Sequence, residues 1–393
     1  MADTVLARFQ HRHLMETTDS ASARIWDLTG SLRPAKGVSF SLLDERPVLF
    51  SEHLQKIYEL NQTAAYIWCS ILDNKSVGTI CRELTDSGLD YATARRHLNQ
   101  ALQAWLDLEL LDVDWTLNAA HAFSVELGRV AFDVQTSSAR IAGILAPLFE
   151  RMGPLLDVAH RFQVIEIDGD VHIFRNGACV DHCVPAELAP VFKARVTELV
   201  MRANPNDIAL HAGCLALNGK YLVVSGMPGS GKSTLAVHLM KAGFQYAGDD
   251  IVLIAPDGRA TGVAFPPSIK TGAWPIIERL FPDFAKSQIS RRPDGQDVRY
   301  LPIPDCKDSP DLPLGWIVFI NRSPDTPTQL NPLGQLETMR RLIDSSCSSD
   351  GRMTSQTFAS LSRSTALAQS FELQYSDAAD ASNVLRQLCD ARN

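Results

Sequence analysis

Eight consecutive residues, Gly226-Met227-Pro228-Gly229-Ser230-Gly231-Lys232-Ser233, spell G-x-x-x-x-G-K-[ST]. They follow the apolar run Tyr221 to Val224 and open a helical pattern from Ser233 to Lys241, the strand-loop-helix setting this motif requires. Glycines let the backbone wrap an anion without Cβ clashes, so that successive N–H groups and the helix N-terminus point at a phosphate. Lys232 would neutralise β/γ oxygens and the Ser233 hydroxyl would ligate Mg²⁺. Gly226, Gly229, Ser230, Gly231 and Thr234 complete the expected nucleotide contacts, with ATP and magnesium as the expected ligands.

Asp249 lies sixteen residues beyond Ser233, in Tyr246-Ala247-Gly248-Asp249-Asp250, which leads into the apolar stretch Ile251 to Ile254. Two adjacent carboxylates close to a phosphate site can divide two tasks, one holding the metal and the other accepting a proton. The plain alternative is a solvated acidic turn before a strand. Upstream, Leu210-His211-Ala212 precedes the strand candidates Gly213 to Leu217 and Lys220 to Val224, joined by the hairpin dipeptide Asn218-Gly219. Taken alone, His211 reads as a structural histidine.

In this order, His211-Ala212-Gly213, Gly226 to Ser233 and Ala247 to Asp250 resemble the catalytic domain of the HPr kinase/phosphorylase family, over residues 120 to about 390. The resemblance implies that His211 sits near the transferring phosphate and that Lys232 and Ser233 hold nucleotide and Mg²⁺. It further implies that Asp249 takes the proton from a substrate hydroxyl, while Asp250 supports the metal or orients the base. The family's glycine-rich "EIRG" stretch is not found. Phe265-Pro266-Pro267-Ser268-Ile269-Lys270 and Trp274-Pro275 stand there instead, as in divergent members, and either Lys270 or Arg299 is a candidate for the missing cation. Both also read as solvated side chains. The departure puts HPr as substrate, and reverse phosphorolysis, in doubt.

The elements that must position these groups occupy 120–393, with 120–205 as a leading α+β part and 206–393 as the core around the glycine-rich loop. Strand patterns cover Ala122 to Leu127, Arg129 to Gln135, Phe162 to Asp168 and Val171 to Arg175, the last two joined by Asp168-Gly169-Asp170. Helical patterns cover Ser138 to Arg151 and Glu187 to Arg202. Downstream, Gly315 to Ile320 and Ser370 to Tyr375 read as strands, and Leu333 to Ile343 and Ala378 to Leu388 as helices. Ala285 to Pro310, rich in Arg, Asp and Pro, reads as a substrate-facing loop.

A separate small module is expected at 37–115, after an arm or linker at 1–36 with one short strand near Arg24 to Asp27. Val38 to Leu43 and Pro47 to Phe50 are strand candidates. Three helices follow, capped by Asn61, Ser76 and Asp90, the last with Leu98, Leu102, Trp105 and Leu108 on one face. This is a winged-helix-like pattern, yet 37–115 carries 6 Lys/Arg against 12 Asp/Glu, a poor composition for contacting a phosphate backbone. The stretch Leu60 to Trp68 followed by a helix pair resembles the PqqD-like peptide-recognition domains. That resemblance implies a leader or precursor peptide added as a strand beside the small sheet and against the last helix. A helical packing domain without a ligand is the alternative.

The fold class expected is therefore an α/β P-loop kinase domain of the HPr-kinase-like type preceded by a small winged-helix-like α+β module. The 393 residues are 45% hydrophobic and 21% charged with a net charge of −8, which makes nucleic acid an unexpected partner. No apolar run approaches the roughly 18 residues that span a bilayer, and the start lacks the apolar core of a secretory signal, so no membrane and a cytoplasmic location are expected. Of eight cysteines only Cys179 and Cys183, with His182, are close enough to suggest a metal, and lacking a second ligand pair they read as reduced thiols. The leading function is a Mg-ATP-dependent Ser/Thr kinase of a peptide or protein. A kinase of a small hydroxylated molecule and a nucleotide-gated peptide-binding ATPase are the alternatives, and a homo-oligomer is compatible with the sequence.

Overall fold

A computed structural model describes residues 30–115, 121–149, 152–156, 158–167, 169–303, 310–347 and 353–391, which divide into two compact units. The first comprises residues up to 116 with 177–179, and the second 117–176 with 180–393. The strand expected near Arg24 and the turn residue Asp168 lie outside the described residues.

In the first unit, β1 (Gly30–Pro34) pairs antiparallel with β5 (Leu111–Trp115). Residues 30–34 are thus a strand rather than part of a linker. Between them, β2 (Val38–Leu43), β3 (Arg46–Ser51) and β4 (Lys56–Glu59) form a three-stranded antiparallel sheet. Helices α1 (Gln62–Leu72), α2 (Val77–Asp86) and α3 (Tyr91–Asp107) follow, each with its first turn capped by a side-chain oxygen, of Asn61, Ser76 and Asp90 respectively. Apolar residues at helical spacing bury Ile67, Trp68 and Ile71 from α1 against Leu98, Leu102 and Trp105 from α3. Trp68 and Trp105 meet edge to face at 4.9 Å. Leu108 does not join that face, because α3 ends before it and leaves it exposed.

The second unit begins with β6 (Ala122–Leu127) and β7 (Val130–Thr136), a hairpin, and α4 (Ala139–Leu145). The helix expected to reach Arg151 stops at Leu145 and passes into a 3₁₀ turn containing Pro147. Next come β8 (Arg161–Ile167), β9 (Asp170–Arg175), β10 (Ala178–Cys183) and α5 (Leu188–Ala203). A Phe cluster, Phe132, Phe149, Phe162 and Phe192, packs α5 onto this sheet through ring contacts of 5.1–6.1 Å.

The central layer is formed by β11 (Ile208–Leu210), β12 (Gly213–Leu217), β13 (Lys220–Ser225), α6 (Lys232–Lys241), β14 (Gln245–Gly248), β15 (Val252–Ile254) and β16 (Arg259–Gly262). After it come β17 (Ser268–Lys270), α7 (Trp274–Leu280), β18 (Ile289–Arg291), β19 (Asp297–Tyr300) and β20 (Leu312–Arg322). The chain closes with β21 (Gln329–Pro332), α8 (Gln335–Asp344), β22 (Ser346–Cys347), α9 (Ser355–Leu367), β23 (Gln369–Tyr375) and α10 (Ala378–Asp390). The main sheet runs β14-β12-β13-β20-β16-β15-β11-β22, with β23 beside β20 and β21 beside β23. Helices α6 and α10 cover one face through Leu235, Leu239 and Leu385, and α8 and α9 the other through Leu342 and Leu361. The arrangement is mixed α/β with several sheets.

Residues 289–300 are not a loop. They supply β18 and β19, which pair with β17 in a separate three-stranded sheet ordered β17-β19-β18. Among the described residues, no helix is long and apolar enough to cross a membrane.

Candidate functional site

The tight turn Asn218-Gly219, both residues at positive φ (53° and 72°), returns the chain from β12 into β13. β13 then ends at Ser225, and the loop 226–231 leads into α6. Two features force glycine here. A Cβ on Gly226 would lie 2.8 Å from both Ile320 Cγ1 and Ser230 Oγ, while Gly229 and Gly231 adopt φ of 85° and 96°. Tyr375 supports the loop from the end of β23, its hydroxyl donating to the Ser230 carbonyl at 3.4 Å.

Lys232 opens α6, is buried, and donates its Nζ to the carbonyls of Gly226 at 2.8 Å and Met227 at 3.4 Å. Burial pulls its pKa down, against the opposing charges of Asp249 and Asp250. Ser233 and Thr234 occupy the same first turn. The Ser230 hydroxyl is buried and has no hydrogen-bond partner.

Asp249 and Asp250 follow β14 at the end of the sheet nearest the loop. Asp249 is 1% exposed, with both carboxylate oxygens buried and the Ser233 side chain as its hydrogen-bonding neighbour. Burial and the adjacent Asp250 charge push it up to about 7, against the pull of Ser233, Lys193 and Lys232. Asp250 differs. Burial would raise it too, but its ion pair with Lys193 of α5, helped by His211 and Arg292, outweighs burial and holds its carboxyl below the ordinary range. The two carboxylates therefore have opposite electrostatic settings despite being neighbours.

His211 precedes β12 and is placed among the same charges, hydrogen-bonded to the Asp250 backbone. Its pKa is lowered, first by burial and then by Lys232. Lys270, at the end of β17, is close enough for its charge to act on Lys232. Arg299 is not so placed. It lies opposite Ile269 in the β17–β19 ladder, and because successive strand residues point to opposite faces, it is on the other face of that sheet from Lys270. There it donates to Glu278 at 2.9 Å and packs over Trp274 at 4.2 Å. In this arrangement the Arg299 guanidinium is engaged in packing and ion pairing.

Lys193 and Arg292 carry no motif, and their contribution becomes visible only in the fold. Lys193 is set over the rings of Phe265 and Tyr300, at 5.2 and 5.8 Å, which fixes its ammonium beside Asp250. Among the described residues no group of three His, Cys, Asp or Glu side chains is arranged to hold a metal, and Cys179 and Cys183 are buried thiols. What the site offers a divalent cation is a hydroxyl and a carboxylate beside a glycine-rich turn at a helix N-terminus. Mg²⁺ suits such a set, since it commonly takes only one or two protein carboxylates and completes its shell with phosphate oxygens and water.

Residues 47–111, from β3 to the start of β5, match the family model for coenzyme PQQ synthesis protein D (PqqD), and the chain is PqqD-like over that span. No curated protein matches the chain. Among solved structures, it is similar to the Hpr(Ser) kinase/phosphatase from Coxiella burnetii, at 11% identity over 46% of this chain and 92% of that one, with a TM-score of 0.19. A score that low leaves residues beyond 47–111 to be argued from their own geometry.

Proposed function

We propose that this protein is a Mg-ATP-dependent kinase that transfers the γ-phosphate to a Ser or Thr hydroxyl of a peptide or protein held by residues 37–115. The observation that carries the reading is Asp249: a carboxylate with both oxygens buried, beside Ser233 and Lys232 of the glycine-rich loop-to-helix turn. A carboxylate buried this deeply is costly to ionise, and groups perturbed in this way cluster where a ligand or a reaction needs them.

In this reading the loop N–H groups of Gly229 and Gly231, with Thr234 in the following turn, cradle the phosphates, and Lys232 turns from the Gly226 carbonyl to the β/γ oxygens. Ser233 and the solvent-facing part of Asp250 would hold Mg²⁺, which when bound neutralises charge on the β- and γ-phosphates. The substrate oxygen bonds to the γ-phosphorus as the bond to the β-bridging oxygen breaks, and Asp249 takes the hydroxyl proton. Its raised pKa suits a base working near neutral pH. Lys193 keeps Asp250 charged, so the two carboxylates do not compete for one proton. His211 and Lys270 add polar and positive groups beside the γ-phosphate.

The PqqD-like span supports a peptide substrate, since a leader bound there would raise the effective concentration of the acceptor residue at the phosphate site. The test is to incubate the intact protein with ATP, Mg²⁺ and a library of Ser- and Thr-bearing peptides, first selected for binding to the protein, and to look by mass spectrometry for one added phosphoryl group on Ser or Thr. ATP consumed with the peptides unmodified would refute the assignment.

A further inference from the structure

One edge of the main sheet collects chain ends in a definite order. β14 is antiparallel to β12, which is antiparallel to β13, so β14 and β13 run the same way. β20 is parallel to β13, and β23 is parallel to β20. The carboxyl ends of all four strands therefore share an edge: Gly248 leading to Asp249, then Ser225 leading to the loop, then Arg322, then Tyr375. His211, just before antiparallel β12, belongs to the same edge. Ligands of open sheets of parallel strands bind at such an edge.

Asp249 and His211 lie on one side of the loop, and Arg322 lies on the other. A triphosphate whose γ-phosphate faces Asp249 must carry its nucleoside the opposite way, across Gly231. What meets it there is Arg322, whose Cδ is 3.7 Å from where a Cβ on Gly231 would stand. The side chain is exposed, and its Nε donates to the Ser376 carbonyl at 3.3 Å, which anchors the guanidinium at the surface near Asp377. Tyr375, paired with Arg322 across the two strands, is buried and spends its hydroxyl on Ser230, so it supports the loop and does not face a ligand.

We propose that Arg322 is the nucleoside-binding residue of this site, stacking its guanidinium plane on the base of the bound nucleotide. A planar, weakly hydrated cation is suited to the face of an aromatic ring, and a lysine at the same place is not equivalent. The inference rests on the nucleotide reading of the loop, and its test separates the two.

The binding of Mg-ATP and of Mg-tripolyphosphate, which has the phosphates without the nucleoside, is measured by titration calorimetry on intact wild-type protein, Arg322→Ala and Arg322→Lys. Both substitutions should weaken ATP by about 5- to 30-fold, the worth of a cation–π contact, and leave tripolyphosphate within about twofold. Unchanged melting temperatures would show that the exposed substitutions leave the fold intact. Unchanged ATP affinity in Arg322→Ala overturns the proposal. So does wild-type affinity in Arg322→Lys, which would mean that charge and not the plane is used, or an equal loss for tripolyphosphate, which would put Arg322 on a phosphate. If the wild type binds tripolyphosphate and ATP but the variants do not differ from it, only the Arg322 assignment fails. Wild-type protein that binds neither ligand would overturn the nucleotide reading and the assignment with it.

Discussion

Lys193 and Asp250, 57 residues apart in sequence, form an ion pair in which the lysine is almost wholly buried, with 9% of its side chain exposed against 34% for the aspartate. The lysine is held from two directions, by the Phe265 and Tyr300 rings and by the carboxylate. Removing one member of such a pair leaves the other poorly solvated. Lys193→Met should therefore destabilise the protein by about 2–3 kcal/mol, below the 3–5 of a fully buried pair because a third of the Asp250 side chain reaches solvent. Denaturant titration measures this. The double variant Lys193→Met/Asp250→Asn should recover part of the loss, and additive losses would mean the two residues are not energetically coupled.

Lys232→Ala removes the cation expected at the β/γ phosphates. Phosphate transfer should fall by at least about 10²-fold, the scale of a lost electrostatic contact in a transition state. Turnover equal to wild type in a direct phosphotransfer assay would make the loop reading untenable.

Asp249→Asn keeps the shape of the side chain and deletes its charge and basicity. Nucleotide should still bind, while transfer drops by roughly 10² to 10⁴, the usual worth of a positioned base. In metal-free protein the same change should raise the melting temperature, because burial and Asp250 already disfavour the charged form of Asp249. If Asp250→Asn, and not Asp249→Asn, abolishes transfer while sparing binding, the two carboxylates have exchanged roles.

Gly226→Ala tests the loop's packing without touching a charge. The added methyl would sit 2.8 Å from Ile320 Cγ1 and 3.0 Å from the Ile320 carbonyl, and neither a strand backbone nor a packed core can yield cheaply. Overpacking of about 1–3 kcal/mol and a marked loss of ATP affinity are expected. Wild-type affinity and stability together would show that the loop is not held as described.

What the sequence made legible was local. The caps at Asn61, Ser76 and Asp90, the Asn218-Gly219 turn and the strand and helix flanking the glycine-rich loop each depend on residues within a few positions of one another. The loop's support was not legible, because Ile320 and Tyr375 reach it from strands far along the chain. Lys193 could not be found for the same reason: on α5 it is one lysine on a helix, and only the fold sets it against Asp250. Residues 289–300 were obscured by composition, since Arg, Asp and Pro suggest a loop while pairing with β17 makes two of their segments strands. Helix α9 went unread because its Ser- and Thr-rich sequence has low intrinsic helix propensity, and burial of Leu361 with a Thr354 capping box supplies what propensity does not.

The last prediction concerns the PqqD-like unit. If residues 37–115 hold a leader by strand addition, main-chain hydrogen bonds supply most of the affinity and are indifferent to sequence, so selection falls to side-chain pockets and charge. With 12 acidic against 6 basic residues, the span should favour neutral to basic leaders, and binding of a basic leader should weaken as salt rises. On the intact protein, a peptide lacking its leader should then show a much higher apparent KM than the full-length peptide, with a similar rate at saturation, because the residues from His211 to Asp250 are unaffected. Free leader added in trans should compete with the full-length peptide, raising its apparent KM and leaving its limiting rate alone. Equal KM values for leader-bearing and leaderless peptides would remove the tethering role and leave residues 37–115 as a packing unit.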